Sequence, residues 1–191
     1  MKHFISILFV ITFLILTSCG PTLRKTTPLA EIPAPKIEEG KYLFEIQPSV
    51  AVGGVTDQRE DSYIVKSYDQ TSEPDGEVGE QVQDVLQRLF ENMGLKVEEG
   101  SPVEIRGAVK VWLVDVSSGF PASLKAKAVV SLEVLDPANR VVYRGTYKGE
   151  ATLQRMGVEI NDLQLALNYA MTEALSQIIK DKKLLSNISA F

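Results

Sequence analysis

Few side chains in this chain of 191 residues are equipped for covalent or acid–base chemistry. Cys19 is the only thiol and His3 the only imidazole, so everything beyond residue 19 must work without either. A serine nucleophile needs a neighbouring base, and histidine is the one most often used. Asp115, Ser117 and Ser118 stand close together with Lys125 downstream; a Ser–Lys pair is conceivable, but a hairpin turn explains the same residues. Glu38–Glu39 and Glu98–Glu99 are paired acids in polar stretches and read as solvated surface. Asp57 and Arg59, backed by Glu60 and Asp61, offer a recognition surface in which the guanidinium meets a carboxylate or phosphate. The competing and preferred reading is a local ion pair that holds a strand exit in place. Trp112 lies between Val111 and Leu113, out of register with the apolar face of its strand. It is expected either on an open sheet face, as an anchor for a partner, or beneath a second layer. No metal-ligand cluster and no cofactor motif accompany these residues.

The amino end carries a different chemistry. Lys2 precedes an almost wholly apolar, uncharged run from Ile5 to Leu16. That run is short of the roughly 20 residues a membrane-spanning helix needs and fits the hydrophobic region of an export signal. Leu16-Thr17-Ser18-Cys19-Gly20 follows at once and resembles the lipobox of bacterial lipoproteins. The resemblance implies that residues 1–18 are a cleaved signal peptide and that the Cys19 thiol is alkylated by a diacylglyceryl group. The new amino group would be acylated, typically by palmitate. Each buried CH₂ adds about 0.8 kcal/mol of membrane affinity, so two or three chains form a lasting anchor. Gly20 stands where an Asp would favour retention at the inner membrane, which points to the outer membrane and a periplasmic domain.

Beyond Cys19 the chain is long enough for one domain with a substantial core. The 45% hydrophobic and 24% charged content of the full 191 residues is that of an ordinary globular protein. Acidic residues number 25 against 20 basic ones, of which Lys2 leaves with the signal. That balance argues against nucleic acid as a partner, because phosphates call for a basic face. Residues 19–41 hold Pro21, Pro28, Pro33 and Pro35 and are expected to form an extended tether that keeps the domain clear of the membrane. Residues 42–191 are expected to form the domain.

Within it, Tyr42, Phe44 and Ile46 alternate, and Val50, Val52 and Val55 continue an extended stretch through Gly53-Gly54. Thr56 to Gly76 reads as a polar loop, with a short strand near Tyr63-Ile64-Val65. Val78, Val82, Val85, Leu86, Leu89, Phe90 and Met93 make one helical stripe that ends at Gly94. Leu95 and Val97 lead into a short strand. Val103, Ile105, Val109, Val111 and Leu113 are expected on one face of the next. Even positions from Leu124 to Val134 form another apolar face. Asp136-Pro137-Ala138-Asn139 then signals a hairpin turn, followed by Val141, Tyr143, Tyr147, Ala151 and Leu153 on one face. A final helix, capped by Asn161 or Asp162, carries the stripe Leu163, Ala166, Leu167, Ala170, Met171, Ala174, Leu175 and Ile178. The simplest assembly is an α+β fold, an antiparallel sheet with both helices on one face as a two-layer sandwich.

Four short segments carry a family resemblance over the whole chain beyond the signal. These are Val55-Thr56-Asp57-Gln58-Arg59, the helix from Val82 to Gly94, Asp115-Val116-Ser117-Ser118-Gly119, and Tyr143-Arg144-Gly145-Thr146-Tyr147. Their order resembles the YajG-type lipoproteins of the bacterial envelope. The resemblance implies a lipid-anchored periplasmic domain and brings no catalytic signature. The expected function is non-enzymatic: binding of an envelope protein or other envelope component through the sheet face or an edge strand, with oligomeric state open. The alternative is a transport-accessory module holding a lipid or glycan fragment between helices and sheet. A cavity lined by Leu86, Phe90, Leu167 and Met171 would favour that alternative, and close packing there would favour the surface binder.

Overall fold

The structure, a computed structural model, describes residues 25–37, 48–68 and 70–191. The signal segment, Cys19, the paired acids Glu38–Glu39 and the alternation Tyr42–Phe44–Ile46 lie outside the described residues. Among the described residues eight strands are seen: β1 (Thr26–Pro28), β2 (Ser49–Asp57), β3 (Val65–Ser67), β4 (Gln70–Asp75), β5 (Lys96–Val97), β6 (Glu104–Ser117), β7 (Ala122–Leu135) and β8 (Val141–Arg155). The helices are α1 (Val78–Asn92), α2 (Ile160–Lys180) and α3 (Lys182–Ile188).

The class is α+β as expected, but the sheet is mixed rather than antiparallel. Long hairpins join β6, β7 and β8 in antiparallel order. On the other side of β6 the pairing is parallel, with β2 along its first half and β3 along its second. Period-2 alternation reports which face of a strand is buried and is blind to the direction of its neighbour, so the parallel pairs left no mark on the pattern. The polar stretch 56–76, expected to be a loop, contains the β3–β4 hairpin.

Both long helices form where the 3.6-residue period places them. Val78, Val82, Val85, Leu86, Leu89 and Phe90 of α1 are buried, and so is every residue of the expected α2 stripe. Gly94 closes α1 with φ +88°, its N–H bonding Glu91 while Leu95 N–H reaches Phe90, a Schellman pair that a left-handed residue makes possible. Neither Asn161 nor Asp162 is the cap of α2. Glu159 occupies that position, in a reciprocal box with Asp162 at the third helical residue. Ala166, Ala170 and Ala174 let α2 lie close on the sheet. At Gly149 of β8 a Cβ would stand 1.9 Å from the Ala170 carbonyl oxygen, so glycine is needed there.

β7 alternates as read, with Leu124, Ala126, Ala128, Val130, Leu132 and Val134 buried. β6 does not keep one parity. A bulge at Lys110 shifts the register between Val109 and Val111, so the buried set changes from Ile105 and Val109 to Trp112 and Val114. Val111 and Leu113, expected inside, turn to the opposite face because one inserted residue inverts every side chain beyond it.

The proline-rich segment is extended but does not hang free. β1 pairs in parallel with β4, Ile32 is fully buried, and residues 28–33 run between the two long helices. From α2, Gln164, Asn168 and Thr172 donate to the carbonyls of Pro28 (2.7 Å), Glu31 (3.0 Å) and Pro33 (3.4 Å). From α1, Gln81 donates to Ala30 and Arg88 to Ile32 and the Glu31 carboxylate. Proline removes N–H donors and leaves the carbonyls, which side chains on the two helices then collect. The expectation of a free tether over residues 19–41 is therefore corrected for 25–37, which pack as part of the domain.

Candidate functional site

The face of the β6–β7–β8 meander opposite the buried one carries Arg106, Lys125, Lys127, Arg144, Thr146, Lys148, Glu150 and Thr152, all exposed. A depression of about 360 Å³ crosses this face. Its floor is a row of small residues set by register: Thr56 lies opposite Ala108, Ala108 opposite Ser131, and Ser131 opposite Thr146. The row therefore runs across four strands, nearly perpendicular to them. One wall follows the next row, where Arg106 faces Glu133 and Glu133 faces Arg144. Arg106 is held by both carboxylate oxygens of Glu104 at 2.8 Å, and Arg144 Nε bonds Glu133 at 2.6 Å. The other wall includes Lys110, the bulged residue, whose ammonium bonds the Gln58 side chain. Fixed charges of both signs border a polar, uncharged floor; such a surface suits an extended polar ligand or peptide and offers no nucleophile.

Asp57 and Arg59 lie beside it, where the chain leaves β2. Arg59 donates from Nε (2.9 Å) and a terminal nitrogen (2.8 Å) to the two Asp57 oxygens, and its other terminal nitrogen reaches the Tyr63 carbonyl at 3.3 Å. The Arg59 side chain is only 6% exposed. Its guanidinium beside Asp57 holds that carboxyl below its ordinary range. The geometry is that of the local ion pair: it clamps the turn that carries the chain from β2 towards β3 along the β6 edge.

Trp112 is not on the open face. It is 1% exposed, and its indole N–H donates to the Leu167 carbonyl of α2 at 3.1 Å. The expectation of an aromatic anchor for a partner is corrected by the Lys110 bulge, which returns Trp112 to the helix-covered side. Ser117, weighed as a nucleophile, donates to the Ser123 carbonyl at 3.3 Å, and Asp115 pairs directly across from Lys125. Glu98 is engaged by Lys96 at 2.7 Å, which lowers its carboxyl's proton affinity. Leu86, Phe90, Leu167 and Met171 belong to the continuous hydrophobic core. Among the described residues no group of three or more His, Cys, Asp or Glu is placed to hold a metal, and no helix is long and apolar enough to cross a membrane.

Sequence reasoning missed the groove, since small residues in four strands align only through register. It also missed a cluster near the start of β8. Tyr147 Oη donates to Asp181 Oδ2 at 3.0 Å, Tyr143 donates to the same oxygen, and Asp181 Oδ1 caps α3 through Lys183 and Leu184 N–H. Burial pushes both tyrosine hydroxyls up and the Asp181 charge adds to it; the bond between the two phenols raises Tyr147 further and works against the shift at Tyr143. Burial works against the Asp181 charge, yet the bonds from Tyr143, Leu184, Tyr147 and Lys183 hold its carboxyl below the ordinary value.

A family model described as an uncharacterised lipoprotein matches residues 45–189. No curated protein matches by sequence. Among solved structures, a Xanthomonas campestris protein of family DUF330 is 12% identical. It superimposes with a TM-score of 0.59 over 87% of this chain and 98% of its own. A putative lipoprotein from Caulobacter crescentus is 14% identical, with a TM-score of 0.45 over 66% and 92% of the two chains. PelC from Paraburkholderia phytofirmans, a dodecamer, is 16% identical, with a TM-score of 0.40 over 68% and 87%. The first of these likenesses shows a shared fold.

Proposed function

The chain belongs to this family of uncharacterised lipoproteins, and on that premise we propose a non-enzymatic binding protein, anchored through Cys19 to the outer membrane and facing the periplasm. In this reading the sheet and its two long helices form a two-layer sandwich whose open sheet face receives an envelope protein or another envelope component. The groove over Thr56, Ala108, Ser131 and Thr146 is the observation that carries it. Exposed sheet faces of monomers are usually studded with long charged side chains; here the long chains retreat to the rims and are tied to one another, leaving a recessed polar strip. A peptide or glycan strand laid along it meets hydroxyl groups below and fixed charges at both sides. The residues with reactive groups support a binding role too, because Ser117, Arg59 and Glu98 are already committed to internal partners.

A photo-crosslinking residue at Thr146, compared with one at Tyr169 on the outer surface of α2, tests this in living cells. Capture of a defined partner is expected from position 146 and not from 169, and Ser131→Arg, which fills the groove, is expected to abolish it. Capture that is equal at both positions, or indifferent to Ser131→Arg in a folded protein, would refute the assignment of this face.

A further inference from the structure

Among the described residues, the three most exposed large apolar side chains stand at one end of the sheet. They are Tyr68 (93% exposed), Phe120 (79%) and Met156 (66%). Nothing in the sequence brings them together; the strand pairing does. β3 runs parallel to β6, with Ser67 opposite Val116, so Tyr68 emerges beside the β6–β7 turn. Phe120 occupies that turn. β8 ends with Arg155 opposite Ala122, which puts Met156 next to the same turn. Neighbouring strands are about 4.8 Å apart, so the three project from a tip about 15 Å wide. Tyr68 also has φ +28°, a conformation a bulky side chain adopts at a cost and glycine or asparagine would adopt more easily. A strained tyrosine left in solvent needs a reason outside the fold.

The chain also enters from this end. β4 begins beside the tip, with Gln70 opposite Ser67, and β1 runs parallel to it with Thr26 opposite Glu73. Strand β1 therefore points away from the tip, and its first residues are the ones nearer the tip. Lys25 lies about three residues, or about 10 Å, up the strand from the tip. Cys19 is six residues before Lys25, and six residues reach at most about 20 Å. With the strands upright, the tip stands no more than about 10 Å from the anchored cysteine.

We infer that this tip is a membrane-contact surface, and that Tyr68, Phe120 and Met156 enter the interface of the bilayer that holds the lipid. The inference rests on the anchoring of Cys19. It adds an orientation: strands roughly upright, the β7–β8 turn at Asn139 farthest from the membrane, and the groove facing sideways. Docking of residues 25–37 between the helices shortens the connection and so keeps the tip within about 10 Å of the anchored cysteine. Apolar side chains at an interface bury about 5–10 Å deep, within reach of quenchers carried on lipid chains.

The test uses the full lipidated protein in phosphatidylethanolamine–phosphatidylglycerol vesicles. Cys19 is the only native cysteine and its sulfur is occupied by lipid, so Tyr68→Cys, Phe120→Cys, Met156→Cys and Asn139→Cys each supply one free thiol for a polarity-sensitive fluorophore. Labels at 68, 120 and 156 are expected to be blue-shifted and quenched by chain-labelled lipid at least about threefold more than the label at 139. All four positions are turns at the surface; Asn139 has φ +63°, so its cysteine variant carries a local backbone cost, and wild-type far-ultraviolet dichroism is the check that each variant is folded. Equal quenching at 120 and 139 in a protein of lipidated mass refutes the orientation alone. A blue shift without lipid quenching assigns the tip to contact with another copy of this chain and refutes bilayer contact. A mature mass lacking the diacylglyceryl group sinks the anchor and this inference together.

Discussion

The docked segment 25–37 controls how far the domain can travel from its anchor, and Ile32 is the residue on which docking turns. Its side chain is fully buried between α1 and α2, whereas Leu29, Ala34 and Ile37 pack against the core only in part and the bonds from the helices to the segment's carbonyls are ones that water can replace. Ile32→Ala removes three buried carbons at about 0.8 kcal/mol each, roughly 2.4 kcal/mol in all. Because the segment lies on the surface of the domain, that loss is expected as local release rather than as a cavity in a rigid core. At 1.4 kcal/mol per tenfold, the fraction undocked rises about 50-fold. Lys25 and Lys36 flank Ile32 within the segment, so trypsin reads the undocked population directly, provided opening is fast relative to cleavage. The expected result is cleavage at these lysines accelerated about 50-fold, with the remainder of the domain intact and its far-ultraviolet dichroism unchanged. Unaltered cleavage would refute the reasoning from burial. Simultaneous loss of the whole domain would refute the claim that this segment opens by itself.

Two further outcomes follow from the core and from the start of β8. Asp181→Asn keeps a cap for α3 but replaces charge-assisted phenol bonds by neutral ones, at an expected cost of about 1–2 kcal/mol at neutral pH in urea unfolding. Since the folded carboxyl is held below its unfolded value of about 3.9, its contribution is present above that pH and is lost as pH falls through the lower folded value. The gap between wild type and variant should close there, and a gap constant down to low pH would contradict the assignment. Trp112→Phe loses the indole bond to Leu167 and some ring volume, an expected cost of about 1–3 kcal/mol in the same assay, whereas a charged residue there would prevent folding. An unchanged urea midpoint for the phenylalanine variant would place Trp112 outside the core.

Much of the fold is legible in local patterns. The α1 and α2 stripes, the Gly94 cap, the even-numbered face of β7 and the turn at Asp136–Asn139 each follow from side-chain periodicity or from one residue's backbone preference. These are contacts within an element, or between residues a turn apart, and the physics that sets them is present in the isolated segment. The candidate site is far less legible. The Asp57–Arg59 pair is legible because the two residues are two positions apart. Trp112 was open to two placements, and its β6 partners Val111 and Leu113 were put on the wrong face, because nothing in the residues around Lys110 announces a bulge.

What the sequence determines alone is the amphipathic character of each element and the chemistry that is lacking: a chain with no thiol or imidazole beyond residue 19. Tertiary structure alone decides pairing direction, register and docking. The groove exists because Thr56, Ala108, Ser131 and Thr146 fall in one row, and the apolar tip because β3 runs with β6 and not against it. The proline-rich segment reads as a free tether by composition, yet buries Ile32 because two helices distant in sequence converge to receive it. Each of these depends on contacts across many residues, whose energy no single segment carries until the chain has folded.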